Sequence, residues 1–304
     1  MKKSTKWFLG IFGGLVGLTL FLFVLFSLIV ASFTGDESDT IVVSGSGSKV
    51  AIVELRGPIF DSENTVRQFK KFRERRDVKA ILFRVESPGG GVVASQEIYE
   101  EVKKTRDKGL PVVVSMGSVA ASGGYYVSCG ADKIVANRGT ITGSIGVISQ
   151  FLRWDPLMKK IGIEANTIKS GKFKDTGNPF REMTKEDRQY FQGLIDDVHH
   201  QFMSVVENER SLDHQTVVKY SDGRVFTGEQ ALEIGLVDTL GTYEEAINIA
   251  ARMGGIKGEP STVKEGKRRL RLIDFLFGET KVSELFDLKD QILNQPILQY
   301  RFVQ

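Results

Sequence analysis

The chain has 304 residues, with 41 Lys and Arg against 38 Asp and Glu, for a formal charge of +3. So even a balance creates no basic field of the kind that draws nucleic acid, and no nucleic-acid partner is expected. A single cysteine, Cys129, excludes a disulfide scaffold, while 41% hydrophobic residues and 32 glycines fit a packed domain rich in tight turns.

Residues 1–6 carry Lys2, Lys3 and Lys6, and an uncharged apolar run follows over residues 7–33. At 1.5 Å of rise per residue, such a helix crosses a hydrocarbon layer ~30 Å thick with some tilt. Asp36, Glu37 and Asp39 lie beyond it. The cationic flank predicts a cytoplasmic N-terminus, a single pass through a membrane and an extracytoplasmic remainder. A cleaved signal peptide ending near Val30-Ala31-Ser32 is the alternative. Secretory apolar cores run only ~7–15 residues, so an uncleaved anchor is expected.

Residues 34–48 are small, polar and acidic, and read as a linker. Residues 49–256 read as one domain. Strands are predicted at 49–55, 79–85, 111–116, 132–136 and 163–169. Helices are predicted at 62–75, 93–107, 120–130, 184–208, 213–220, 228–234 and 242–253. This alternation, with continuous apolar strands, predicts an α/β layered fold around a covered, largely parallel sheet. In the long helix, Thr184 and Asp187 form a capping-box start, and Tyr190, Phe191, Leu194, Ile195, Val198, Phe202 and Val205 recur at helical spacing. Residues 257–304 form a basic and apolar tail. It suits docking on a partner subunit, on lipid headgroups or in the domain's own groove, and its residues do not choose among these.

Two motifs carry the candidate chemistry. In MGSVAASGGYY (116–126), Ser122 stands between small residues at the entry of a buried helix, where free N–H groups and the helix dipole favour a developing oxyanion. In ESPGGG (86–91), Pro88 ends a strand and three glycines permit the φ values that turn an N–H inward. Either motif alone reads better as a packing seam or a plain turn. Together they suit acyl transfer.

A serine nucleophile needs a base. His199, His200 and His214 lie in or just after the long helix, beside Asp196 and Asp197, and read as a solvated face. No metal-ligand spacing occurs, so neither metal nor organic cofactor is expected. A lysine serves when burial and the lack of an anionic partner keep its amine neutral. Lys172 and Lys174 in SGKFKDTGNPF (170–180), with Lys169 just before, are the candidates, and their residue types do not separate them. Ser-x-x-Lys pairs at Ser46/Lys49 and Ser261/Lys264 fall in the linker and the tail and are read as chance.

The ordered set ESPGGG, MGSVAASGGYYVS, GTITGSIGV (139–147) and SGKFKD closely resembles the signal peptide peptidase A family of bacterial membrane serine proteases, in its half-length form anchored in the cell membrane. That family belongs to the Clp protease/crotonase superfamily, which implies a layered fold of repeated strand–helix units. The resemblance implies a serine endopeptidase in which Ser122 is the nucleophile, Lys174 the general base and Ser144 the residue that orients the lysine. It implies an oxyanion hole from the N–H groups of Gly90 and Gly123. It further implies peptide substrates, above all cleaved signal peptides at the outer membrane face, and a ring-shaped homo-oligomer in which the lysine can come from a neighbouring subunit. The competing readings are a crotonase-like acyl-CoA enzyme with a similar oxyanion hole and a non-catalytic membrane scaffold on the same fold.

Overall fold

In the computed structural model, strand β2 (Lys49–Arg56) buries both faces: Val50 and Ile52 point one way, Ala51, Val53 and Leu55 the other. That two-sided burial is what a continuous apolar run produces in the middle of a covered parallel sheet. Residues 12–25, 40–42, 47–266 and 298–302 are described by the structure.

The chain divides into two units. The first contains helix α1 (12–25), whose residues are exposed throughout. Among the described residues, no helix is long and apolar enough to cross a membrane. The remainder of the expected 7–33 span lies outside the described residues, as do 1–6 and residues 267–297 and 303–304 of the expected tail.

The second unit is built on a nine-stranded sheet. Its further strands are β1 (Thr40–Val42), β3 (Val78–Ser87), β5 (Val112–Ala121), β6 (Lys133–Ala136), β7 (Ile141–Gly143), β8 (Val225–Thr227), β9 (Thr239–Leu240) and β10 (Ser261–Glu265). They run in the order β1-β10-β2-β3-β5-β6-β9, with β7 paired to β5 and to β8. The pairings β10/β2, β2/β3, β3/β5, β5/β6, β5/β7 and β6/β9 are parallel, and β7/β8 is antiparallel.

One face of the sheet is covered by α2 (Glu63–Glu74), α3 (Val92–Asp107), α4 (Gly123–Ser128) and the C-terminal half of α6 (Lys185–Arg210), through Phe69, Phe72, Ile98, Tyr125 and Phe202. The other is covered by α9 (Tyr243–Met253), whose Ala246, Ala250 and Ala251 pack on Val50, Leu82 and Val113. The remaining helices are α5 (Asp155–Lys160), α7 (His214–Tyr220) and α8 (Gly228–Glu233). The α/β layers and the parallel sheet are therefore those expected.

Four details differ from the sequence reading. The helix expected over 120–130 starts at Gly123, because Ala120 and Ala121 remain in the β5 ladder against Thr142 and Gly143. Residues 163–169 form no strand; with no neighbouring strand to satisfy its backbone, the segment stays exposed, Ile168 wholly so. Strand β10 lies past the expected domain end at 256, in the interior of the sheet order, and β1 lies within the expected linker. Helix α6 starts at its reciprocal Thr184–Asp187 capping box, yet it exposes Tyr190 and Leu194 and buries Phe202, Met203 and Val206.

Candidate active site

Ser122 is the N-cap of α4 and has φ 54°, ψ −117°. This backbone is costly for a residue with a Cβ, by about 1–3 kcal/mol, and persists only where its surroundings enforce it. The enforcing bonds are Ser122 N–H to the Gly143 carbonyl at 2.7 Å and Tyr126 N–H to the Ser122 carbonyl at 2.8 Å. The residue is 1% exposed, and its Oγ has no hydrogen-bond partner among the described residues. A buried hydroxyl left in this way is unusual.

Ser144 follows Gly143 on the adjacent strand, is buried and also has a left-handed backbone, φ 51°. Its N–H donates to the Arg224 carbonyl at 2.8 Å. The Gly143 carbonyl thus joins the strand ends that carry the two serines.

The glycine motif forms strand β4 (Gly89–Gly91). Ser87 Oγ accepts from Gly89 N–H at 3.1 Å and fixes the turn. Gly89 and Gly91 bond to Ile59 on one side, through Ile59 N–H to Gly89 O at 2.9 Å and Gly91 N–H to Ile59 O at 2.7 Å. By strand alternation the N–H of Gly90 faces the other way, into a groove.

Residues 298–302 of the chain occupy that groove. Strand β11 (Gln299–Arg301) pairs antiparallel with β4, with Tyr300 opposite Gly90. Val92 N–H donates to Leu298 O and Phe302 N–H to Pro88 O. The intervening Gly90–Tyr300 pair is therefore of the hydrogen-bonded type, with the Gly90 N–H directed at the Tyr300 carbonyl. On its far side the segment exchanges two bonds with Ile148, Ile148 N–H to Gln299 O at 3.0 Å and Gln299 N–H to Ile148 O at 3.1 Å. Of the three placements open for the tail, these residues take the domain's own groove.

The Tyr300 carbonyl is also close against Gly123. A Cβ on Gly123 would lie 3.0 Å from that oxygen and 2.7 Å from Ser95 Oγ. A Cβ on Gly89 (φ +93°) would collide with the same oxygen and stand 2.6 Å from Gly123 N. The glycines are required because two backbones and a carbonyl meet here without room for a side chain.

The Tyr300 ring fills a pocket beside the glycines. It is fully buried, stacks on Tyr126 at 5.1 Å and meets Phe202 at 4.7 Å, and its Oη donates to the Val198 carbonyl at 3.2 Å. Burial holds the phenols of Tyr300 and Tyr126 well above their ordinary range, so both stay neutral. Cys129, on the same helix end, is buried, and desolvation pushes its thiol up to about 12, which leaves it inert.

Among the described residues, Lys174 makes no hydrogen bond to Ser122 Oγ. It sits exposed in a turn, its N–H donating to the Gly171 carbonyl at 3.2 Å. The structure nevertheless separates the three lysines. Lys169 is paired with Asp175 at 2.6 Å and Lys172 with Glu186 at 2.7 Å, whereas Lys174 has no ion pair among the described residues. Arg181 completes this segment by bonding both Asp175 and Asp187. The three histidines make no bond to Ser122 Oγ.

Sequence reasoning missed Ile148 as the groove's second wall, and Tyr126 and Phe202 as its pocket. Tyr126 was within the quoted motif and Phe202 on the helical stripe. Ile148, just past GTITGSIGV, carried no signal of its own.

A backbone N–H aimed at a peptide carbonyl, next to a second glycine backbone and an unbonded serine hydroxyl, is a geometry for acyl transfer and places the molecule among the serine hydrolases. Residues 104–257, half of the chain, match the model of Peptidase family S49. The chain is 43% identical over 227 residues to "Putative protease slr0021" of Synechocystis sp., covering 73% of this chain and 82% of that one. It is 36% identical over 223 residues to "Putative signal peptide peptidase SppA" of Enterococcus faecium, covering 69% and 65%. "Protease 4" of Haemophilus influenzae is 36% identical over 215 residues, covering 68% of this chain but 35% of that longer one. The chain belongs to peptidase family S49, and it is a serine protease.

Proposed function

We propose that this protein is a membrane-anchored endopeptidase that uses a Ser/Lys dyad to degrade cleaved signal peptides and other hydrophobic peptides at the extracytoplasmic membrane face. The observation that carries the reading is the chain's own Tyr300, lying as an extended peptide whose carbonyl meets the Gly90 N–H beside Ser122. A substrate strand takes the same place. Its backbone is gripped by β4 and Ile148, and an apolar or aromatic side chain enters the pocket of Tyr126 and Phe202.

Ser122 attacks the carbonyl, Lys174 accepts its proton, and the N–H groups of Gly90 and Gly123 hold the oxyanion. The amine then protonates the leaving group and activates water for deacylation. Ser144 orients the amine. The absence of a carboxylate partner on Lys174 among the described residues, against the paired Lys169 and Lys172, supports this choice of base.

The lysine comes from a neighbouring copy in a ring-shaped homo-oligomer. Three observations support this. Among the described residues Ser122 Oγ is without a partner, Lys174 is exposed, and the segment around it exposes Leu152, Trp154, Ile161, Phe173, Tyr190 and Leu194. The uncharged 7–33 stretch between Lys6 and Asp36 supports the anchor and its orientation.

A fluorophosphonate probe should label the wild-type protein and not Ser122→Ala; labelling that persists in the variant removes the assignment. Mixing inactive Ser122→Ala with inactive Lys174→Ala should restore activity through mixed sites. No recovery after subunit exchange would place both groups in one chain.

A further inference from the structure

Glu86 stands at the one place where the strand carrying the nucleophile leaves register. Along β3 and β5 the partners run Arg84↔Ser115 and Val85↔Met116, and the next pair is Ser87↔Ala120. Opposite the single residue Glu86, β5 therefore inserts Gly117, Ser118 and Val119. At the same point β5 exchanges its other neighbour: residues 113–115 pair with β6 and residues 119–121 with β7. A bulge of this kind re-aims everything downstream of it, here Ala120, Ala121 and Ser122.

Two of the three inserted N–H groups, those of Ser118 and Val119, lie outside the β3 ladder, and the Glu86 carboxylate accepts from both. Ser118 N–H donates to Oε2 at 2.9 Å and Val119 N–H to Oε1 at 3.1 Å. Gly117 leaves the space this requires, since a Cβ there would collide with Oε2 and stand 2.5 Å from Cδ. The other groups of the bulge are also held. Thr140 Oγ1 donates to the Gly117 carbonyl at 2.8 Å and Arg84 Nη1 to the Met116 carbonyl at 2.9 Å. The backbone of Glu86, meanwhile, accepts from Gly57 N–H at 2.9 Å and leads through Ser87 and Pro88 into β4.

We propose that Glu86 is a positioning residue for catalysis, its carboxylate locking the β5 bulge so that Ser122 is held at a set distance from the Gly90 N–H. One residue then joins both halves of the site, with the oxyanion strand on its main chain and the nucleophile strand on its side chain. The inference rests on the serine-protease reading of Ser122. Two charge-assisted bonds define the bulge, and a displacement of about 1 Å in a reacting group costs roughly 10²-fold in rate. Glutamine at this position keeps one acceptor and turns an N–H₂ group towards the second donor.

The test uses the full chain and the variants Glu86→Gln, Glu86→Ala, Gly117→Ala and Glu86→Ala/Gly117→Ala. Fluorophosphonate labelling rates are measured, together with KM and with kcat per titrated site. Glu86→Gln and Gly117→Ala should each lower kcat and the labelling rate about 10–100-fold with KM nearly unchanged. Gly117→Ala should cost little more once the carboxylate is gone, because the two act through one contact. Normalising to titrated sites removes loss from misfolding, and Gly117→Ala probes the contact from the opposite side if Glu86→Gln does not accumulate. Wild-type kcat per site in both single variants would overturn the positioning role. Wild-type protein that fails to label at all would instead overturn the protease reading beneath it.

Discussion

Tyr300 lies directly opposite Gly90 in antiparallel register, its carbonyl turned to the glycine N–H and its ring fully buried against Tyr126. The C-terminal end of the chain thus holds the place that an incoming peptide needs. Burying an aromatic ring of this size is worth ~1.5–3 kcal/mol, so the segment is a real competitor for the groove. A chain ending at residue 297 should therefore bind peptide substrates more tightly, with KM lower by about tenfold and kcat unchanged. Tyr300→Gly should move KM in the same direction. Steady-state kinetics decide the matter: an unaltered KM in both would show that these residues do not compete with substrate.

The glycines of the groove should tolerate no side chain. Gly89→Ala places a Cβ against Gly123 N and in a backbone region, φ +93°, that alanine resists. Loss of an aligned oxyanion donor costs about 10²–10³ in turnover. The variant should show that loss in kcat, and its melting temperature reports how much of the effect is folding. An active Gly89→Ala enzyme would mean that the groove widens freely.

Substitution should separate the three lysines as the ion pairs do. Lys174→Ala should lower kcat by about 10²–10⁴, the usual contribution of a general base. Lys172→Ala, which removes a pair with exposed Glu186 and a cation–π contact with Phe173, should leave turnover close to wild type. Lys169→Ala loosens Asp175 and should raise KM or lower stability before it touches kcat. Equal losses at Lys172 and Lys174 would shift the role of base away from Lys174.

Acid should act on the lysine segment first. The Arg181 guanidinium, and after it Lys169, holds the Asp175 carboxyl down at about 2, and Arg181 likewise keeps Asp187 far below its ordinary value. Carboxylates depressed on folding contribute stability above their unfolded pKa of ~3.9, and that contribution disappears as pH falls through the folded value. Hydrogen exchange over residues 169–187 should therefore accelerate between about pH 4 and pH 2, and Arg181→Leu should abolish that pH dependence. Exchange that is flat over this range in the wild type would show that the network does not hold the segment.

Much of the site was legible before any coordinates because its chemistry is local. Ser122-Gly123-Gly124 and Pro88-Gly89-Gly90-Gly91 are written in residue types whose backbone freedom is a property of each residue, and both motifs reach the groove. The continuous apolar runs of β2, β3 and β5 likewise announced a covered sheet, and Thr184 with Asp187 marked the start of α6 to the residue. The same logic failed at 163–169, where alternation suggested a strand and no partner strand exists. Strand pattern describes a surface able to pair and carries no information on whether anything pairs with it.

The amino-acid sequence alone determined the catalytic vocabulary of this protein: a serine at a helix entry, a glycine strand to face it and a lysine segment downstream. Only the tertiary structure decided which lysine has no carboxylate partner among the described residues, which segment fills the groove and which side chain holds the bulge before Ser122. Each of those depends on a partner distant along the chain, Lys172 with Glu186, Gly90 with Tyr300, Glu86 with Ser118. The last two pairings are set by sheet order and register, and the first by how the turn at 172–177 meets the start of α6; none is a property of any one stretch of residues.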